Sequence, residues 1–241
     1  MKEKQVFFNP FRIISPKLDA EASRLAEIYE SPPAEVTCLE EGLLIMIGKL
    51  AEMAGLIYKC LILADPVKIE RCERLAREIH QEEKGLTGDL VCSPATAGDI
   101  LKTVVLFPGR LERAGDLLES ILNVIKIKVR DGIPFSDKAL AELDELFDLL
   151  TNILTDFGDL VLTRNHTLAD DLLAKQSKLG QMTVDFALAH EDRLIVGVCS
   201  PKASSLYLDI LDSVKNVNGH LREMTESLLR IANAQDAAPT N

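Results

Sequence analysis

The chain contains no tryptophan, and only 5% of its 241 residues are aromatic. It is nevertheless 47% hydrophobic, so its core must be built from Leu, Ile, Val, Ala and Met. Such a mix, rich in Leu and Ala and poor in aromatic residues, favours helices over sheets. The composition therefore predicts an all-α protein with a substantial core.

Cysteines are few, and their number is odd. There is no CxxC pair and no nearby pair of histidines, which argues against a disulfide framework and against a zinc finger or ribbon. Cys60 and Cys72 lie close to apolar helical stripes, where a buried thiol behaves as a small hydrophobe. The five cysteines are Cys38, Cys60, Cys72, Cys92 and Cys199.

Long hydrophobic runs are also missing. No apolar stretch approaches the roughly 18–20 residues that span a bilayer, and no signal-peptide pattern opens the chain. We therefore expect a cytoplasmic protein. The formal net charge of −11 argues against nucleic-acid binding, because phosphates repel an acidic surface. Cations or a basic protein partner are compatible with it.

Catalytic motifs are absent as well. The sequence has no Gly-rich phosphate loop, no GxSxG and no HExxH. It also lacks the Glu-x-x-His spacing that helical di-iron proteins use. The four histidines are scattered and are expected to be surface or structural residues: His80, His166, His190 and His220. We expect a protein that is not an enzyme.

What the sequence does contain is apolar residues spaced by threes and fours, which predict six long helices. Asp65 before Pro66 and Ser136 before helix 4 are good N-caps. Thr167 is expected to cap helix 5. Phe107, Pro108 and Gly109 interrupt helix 3, where we expect a kink or break because an internal proline costs about 3 kcal/mol. Helix 6 is expected to run unbroken over residues 204–231.

An internal repeat is visible in these helices. The tetrapeptide Val-Cys-Ser-Pro occurs at residues 91–94 and again at 198–201, and the apolar seams of helices 3 and 6 superpose with an offset of 103 positions. The two tetrapeptides are 107 positions apart, four more than the two seams. This difference suggests one extra helical turn before the seam of helix 3. We infer two tandem three-helix bundles, 38–130 and 137–234.

An irregular N-terminal arm is expected over residues 1–37, and a disordered tail over 235–241. The first 17 residues carry a local charge of +3 and three phenylalanines, Phe7, Phe8 and Phe11. Two interpretations stay open. The arm either makes peripheral contact with a membrane surface or a partner, or packs its phenylalanines on its own bundle.

Helix 3 carries the most specific motif, LERAGD at residues 111–116. Leu111 and Ala114 lie on the apolar seam, and Glu112 and Asp116 project beside it one turn apart. This stretch resembles the signature helix of PhoU-like phosphate-uptake regulators, which contains an acid-x-x-x-acid pair. Residues 31–33 and the helix after them also resemble the cytoplasmic PhoU-like tail of bacterial sodium–phosphate cotransporters.

The resemblance implies a tandem three-helix fold and a non-enzymatic regulator or adaptor in phosphate transport or phosphate-responsive signalling. A phosphate transporter or sensor protein would be a separate chain, and a homodimer is implied. In the family the acid pairs resemble ligands of iron, zinc or similar metals, so Glu112, Asp116 and Glu119 are candidate metal ligands. In the second repeat Lys215 and Gly219 replace the pair, and Lys215 could instead neutralise these acids without an ion.

Two alternatives remain beside the regulator. One is a metal-binding or storage bundle, in which the acidic face is the purpose. The other is a purely structural helical module without a phosphate role. A single acid pair specifies a metal only weakly. Metal analysis of the purified protein is therefore needed to separate the metal-binding bundle from the regulator and the structural module.

Overall fold

A computed structural model describes residues 34–92 and 104–236, and these residues are almost entirely helical. No strand occurs within these two ranges, so the predicted all-α class is confirmed. Six long helices account for nearly all of the described chain: α1 (Ala34–Leu63), α2 (Pro66–Cys92), α3 (Phe107–Arg130), α4 (Asp137–Thr163), α5 (His166–Ile195) and α6 (Pro201–Asp236).

The apolar seams predicted from the spacing form one core. The residues that the spacing places on the seams of α1 and α3 are all buried: Leu39, Leu43, Met46, Leu50, Met53 and Ile57 in α1, and Leu111, Ala114, Leu118 and Ile121 in α3. Tyr207, Phe147 and Phe157 are the bulkiest fully buried side chains, and they compensate for the absence of tryptophan. From Leu39 onward the chain forms a single compact unit, and of the unit before it only residues 34–38, the first turn of α1, are described.

Contacts between side chains define how the helices pair. Antiparallel neighbours follow each other along the chain, as in the pairs Arg71–Glu52 between α1 and α2 and Lys175–Asp156 between α4 and α5. The third helices also pack antiparallel, since Lys202 near the start of α6 bonds Asp131 just after the end of α3. As a result, α3 and α6 lie side by side with their surfaces available for a shared site.

The two sets of three helices correspond closely in register. Ala64 after α1 and Arg164 after α4 lie 100 positions apart and have φ values of 50° and 49°. Each donates its backbone N–H to the carbonyl four residues earlier. Similarly, Cys72 and Ile79 in α2 match Leu172 and Leu179 in α5, and all four are buried.

The two Val-Cys-Ser-Pro segments are not equivalent in this structure. The second lies in the turn before α6, which begins at Pro201. In the first, Val91 and Cys92 are instead the last residues of α2, and its Ser93 and Pro94 lie outside the described residues. The offset of 107 between the tetrapeptides therefore does not measure an extra turn within α3.

The predicted break is confirmed just before Phe107, where α3 begins, while Phe107, Pro108 and Gly109 themselves lie in the helix. Val105 and Leu106 form a turn, and Pro108 occupies the first turn of the helix. A proline is tolerated at that position because its missing N–H would have had no helical partner. The unbroken helix predicted over residues 204–231 is also confirmed, since α6 runs over Pro201–Asp236.

Most of the predicted caps are present. Asp65 accepts a hydrogen bond from the N–H of Val67, and Ser136 accepts one from Ala139. The cap predicted at Thr167 was wrong. Asn165 caps α5 through a 3.1 Å bond from the N–H of Leu168, because its extended backbone places the side-chain oxygen over the first turn.

The predicted boundaries are tested only in part. Helix α1 starts at Ala34 and not at Cys38, and the rest of the predicted arm lies outside the described residues. The same holds for residues 237–241 of the predicted tail. The division into repeats over 38–130 and 137–234 stays a prediction. None of the described helices is long and apolar enough to cross a membrane.

Candidate functional site

A shallow groove of about 460 Å³ runs between α3 and α6. It lies where these two antiparallel helices pack against each other, and both helices supply lining residues. Asp116 of α3 and Gly219 of α6 occupy equivalent positions when the two seams are superposed, and they line the same groove from opposite sides. Its lining residues are Arg113, Asp116, Leu117, Asn216, Gly219, His220 and Glu223.

Charged side chains from both helices meet across this groove. Arg110 of α3 forms an ion pair with Glu223 of α6, while Arg113 is exposed. Nδ1 of His220 is buried, with no hydrogen-bond partner in the described part of the chain. Burial lowers the pKa of His220, and the positive charges of Arg110 and Arg113 lower it further.

Glu112, the first acid of the motif, is engaged by a neighbouring helix. Its Oε1 lies 3.0 Å from Nδ1 of His80 on α2. The sequence had left open that Lys215 neutralises the motif, but Lys215 is exposed and the observed pair is His80–Glu112. His80 was expected to be a surface or structural residue. It is exposed, but it also contacts a carboxylate of the motif.

Asp116 is exposed at the groove, and Glu119 is half-buried beside it. Desolvation raises the pKa of Asp116, the carboxylates of Glu112 and Glu119 raise it further, and His80 opposes them. Across the residues that the structure describes, no three His, Cys, Asp or Glu side chains are grouped so that they could hold a metal ion. The metal assignment to Glu112, Asp116 and Glu119 stays a prediction.

A second polar cluster lies between helices α4, α5 and α6. We call it the Glu142 cluster; it consists of Glu142, His190, Arg193 and Tyr207. Glu142 is only 2% exposed, yet it accepts two bonds from Arg193, at 2.8 and 2.6 Å. The hydroxyl of Tyr207 donates a third bond of 2.6 Å. His190 stacks on Tyr207 with ring centroids 4.4 Å apart. A carboxylate and a guanidinium thus neutralise each other inside the core.

The Glu142 cluster shifts the titration of its members. Burial and the bond to Glu142 raise the pKa of Tyr207, so the phenol stays protonated and remains a donor. Burial lowers the pKa of His190, Arg193 lowers it further, and Glu142 opposes the shift. Nε2 of His190 and Oγ of Ser204 are buried without a hydrogen-bond partner in the described ranges.

Within the described residues of α1 and α2, the place that matches Glu142 holds no carboxylate. The position 100 residues before Glu142 is Gly42, against which the side chain of Leu86 packs so closely that an added Cβ would lie 2.3 Å from it. Leu86 is 8% exposed. The two halves of the described fold therefore share a backbone arrangement but differ in the chemistry of their interiors.

Sequence reasoning found some of these residues and missed others. It singled out Glu112, Asp116 and Glu119, but the structure adds His80, Arg113 and the groove residues of α6. A signal for Glu142 was present: it lies three residues after Ala139 and four before Leu146, both buried, and so falls within the apolar pattern. Contacts between distant helices, such as His80 with Glu112, leave no local pattern.

Comparison with known proteins places the fold. It is similar to the crystal structure of the phosphate transport system regulatory protein PhoU from Streptococcus pneumoniae, with a TM-score of 0.72, 15% identity and coverage of 86% of this chain and 99% of that chain. PhoU from Pseudomonas aeruginosa matches with a TM-score of 0.72 and 14% identity, over 83% of this chain and 98% of that chain. No family model matches, and no curated protein matches by sequence. The PhoU-like fold expected from the LERAGD segment is confirmed.

Proposed function

We propose that this PhoU-like chain is a non-catalytic regulator or adaptor that modulates phosphate transport or phosphate-responsive signalling through protein contacts. One observation carries the proposal: the fold matches a phosphate transport system regulatory protein over nearly all of that protein's length. A shared fold does not by itself imply a shared function, so the LERAGD motif supplies the second support.

The chemistry of the described surface agrees with an adaptor role. Several of its charged groups are engaged with each other, as in the Arg110–Glu223 ion pair and the His80–Glu112 contact. An acidic chain of net charge −11 is suited to basic protein surfaces, because opposite potentials steer association. We propose a phosphate transporter or sensor as the partner, a homodimer as the working form and the cytoplasm as the location.

Deletion of the gene tests this function directly. In the deletion strain we expect altered uptake of radioactive phosphate and altered transcription of a phosphate-responsive reporter, measured under both scarcity and excess. Re-expression of the wild-type chain should restore both values. Uptake and transcription that match those of the parent strain under both conditions would refute the regulatory role.

A metal-binding role is the second candidate. Asp116 supports it, because desolvation and then the nearby carboxylates of Glu112 and Glu119 raise its pKa, and a bound cation would relieve the repulsion between these carboxylates. Carboxylates are ligands for hard cations, and iron or zinc also accept them. In this reading Glu112, Asp116 and Glu119 would hold the ion, and water or a second copy of the chain would complete the ligand shell.

A further inference from the structure

The outer face of α5 carries an apolar stripe, which we define as Val184, Leu188 and Ile195. Helix α5 packs chiefly against α4 and α6, and these three side chains point away from both. They are 43%, 57% and 82% exposed. At about 100° per residue they fall within a narrow sector of the helix surface, as do the anchors of a helix packed lengthwise on a partner.

The turn after α5 carries a further exposed apolar side chain, that of Val198. Gly197 has a φ of 75°, and Val198 donates its N–H to the carbonyl of Arg193, which is a Schellman motif. Such a motif usually buries the apolar residue that follows the glycine. After α3 the same motif buries Ile133 to 7% exposure, whereas Val198 is 65% exposed. The apolar residue after α5 therefore lacks the contact that its counterpart has.

The corresponding face of α2 carries no large apolar side chain at the two matching positions that the structure describes. Positions 100 residues before Val184 and Leu188 hold Lys84 and Gly88, and both are exposed. If the stripe served only the fold, the matching outer helix would need it as well. Its presence on α5, and its absence from the two matching positions of α2 that the structure describes, indicate a use outside the packing of the bundle.

Acidic side chains border the stripe on both sides. On the helical wheel Glu191 lies on one side, and Asp185 and Asp192 lie on the other; all three are exposed. No lysine or arginine of the described chain forms an ion pair with any of them. An occupant of this face should therefore combine apolar side chains with flanking positive charges, and an anionic lipid surface would be repelled.

Contacts on the inward side of α5 hold the helix that carries the stripe in place. Arg193 and His190 lie on the inward side of α5, where Arg193 holds the buried carboxylate of Glu142 with two hydrogen bonds. A surface that is already ordered loses little conformational entropy when a partner binds. The last turns of α5 are thus prepared to present Leu188 and Ile195 to a ligand.

We propose that the α5 stripe is a docking surface for a basic amphipathic helix of another protein. Its residues span about 16 Å along the axis, which fits about three helical turns of a partner and a transient interface. The inference deepens the proposed adaptor function by naming the contact surface and the chemistry of the partner. Docking is measured without reference to phosphate, so either idea can fail alone.

The test uses the full chain and a fluorescent peptide about 18 residues long, in which Leu and Lys alternate with helical periodicity. We expect a Kd of about 10–100 µM by fluorescence anisotropy. The Val184→Asp/Leu188→Asp variant should weaken binding at least about tenfold. Neutralising the border with Asp185→Asn, Glu191→Gln and Asp192→Asn should weaken it and flatten its salt dependence.

Leu162→Asp is the matched control, because Leu162 is an exposed leucine on α4 and its replacement should leave the Kd unchanged. Equal weakening in this control, or equal binding of a Leu/Glu peptide, would overturn the proposal. So would dimerisation of the wild-type chain that Val184→Asp/Leu188→Asp abolishes in sedimentation. A tenfold gain in peptide affinity after replacement of Phe7, Phe8 and Phe11 by Ser would assign the stripe to the chain's own arm.

Discussion

The phenol of Tyr207 donates a 2.6 Å hydrogen bond to Oε2 of Glu142, and neither side chain reaches solvent. Arg193 completes the arrangement from α5, so three helices meet at one carboxylate. Burying a charged pair gains little stability over apolar packing, since desolvation offsets the attraction. The pairing instead fixes how α4, α5 and α6 align, because any slip leaves a charge unpaired.

Removing the carboxylate should therefore be costly. We expect Glu142→Ala to lower the free energy of unfolding by about 3–5 kcal/mol, because Arg193, whose side chain is only 15% exposed, would lose its counter-ion. Urea unfolding followed by circular dichroism measures the change. Asp156→Ala, which breaks the more exposed pair with Lys175, should cost less than about 1 kcal/mol.

A rescue variant sharpens this prediction. Combining Glu142→Leu, Arg193→Leu and Tyr207→Phe replaces the polar groups together and should recover most of the stability lost in Glu142→Ala. If Glu142→Ala is no more harmful than Asp156→Ala, the buried pairing does not exist in solution.

His190 should make stability depend on pH. Burial and Arg193 lower its pKa in the folded chain, with Glu142 opposing them, whereas an unfolded histidine titrates near about 6.5. The unfolded state then binds the proton more tightly. The contribution of His190 is complete above about pH 6.5 and is lost as the pH falls through that value towards the folded pKa.

Urea unfolding at a series of pH values tests this expectation. Between about pH 7 and 5 the wild type should lose stability more steeply than His190→Gln. Proton NMR of the imidazole ring, assigned by its absence in His190→Gln, should show titration below about pH 6.5. A midpoint above that value would contradict the burial of a neutral ring.

Gly42 and Gly48 lie in the same helix and should respond oppositely to alanine. A Cβ at Gly42 would lie 2.3 Å from Cδ2 of Leu86, whereas nothing lies within 4 Å of one at Gly48. We expect Gly42→Ala to destabilise the protein by about 1–3 kcal/mol through overpacking. Gly48→Ala should stabilise it by up to about 1 kcal/mol. Equal gains in Tm would show that α1 and α2 pack less closely.

The sequence predicted the framework well because helical framework is encoded locally. Spacings of three and four residues identify the buried seam of each helix, and a proline marks where α3 begins, at Phe107. Caps are also local, although two competing polar residues can mislead, as Thr167 did beside Asn165. The choice depended on backbone angles that composition does not reveal.

The sites were less predictable because they are made between helices. His80 and Glu112 are 32 positions apart, and their approach depends on the rotation of α2 against α3. Four titratable residues line the α3–α6 groove, namely Arg113, Asp116, His220 and Glu223. They come together only because these helices run antiparallel. Glu142 illustrates a different limit: its register indicated burial, but an acidic residue is rarely assigned to a core without a visible partner.

The metal prediction depends on the LERAGD helix alone. If Glu112 and Asp116 bind a cation, wild-type protein that is incubated with iron or zinc and desalted should retain about one ion per chain by elemental analysis, and Glu112→Ala/Asp116→Ala should retain none. Glu41→Ala/Glu145→Ala removes the same charge from exposed positions and should keep the metal. Metal that is lost in Glu112→Ala/Asp116→Ala but kept in Glu41→Ala/Glu145→Ala is bound by the motif. General attraction to an acidic surface would fall equally in both variants. Wild-type protein without metal would leave Glu112 as the partner of His80 and Asp116 as a solvated acid.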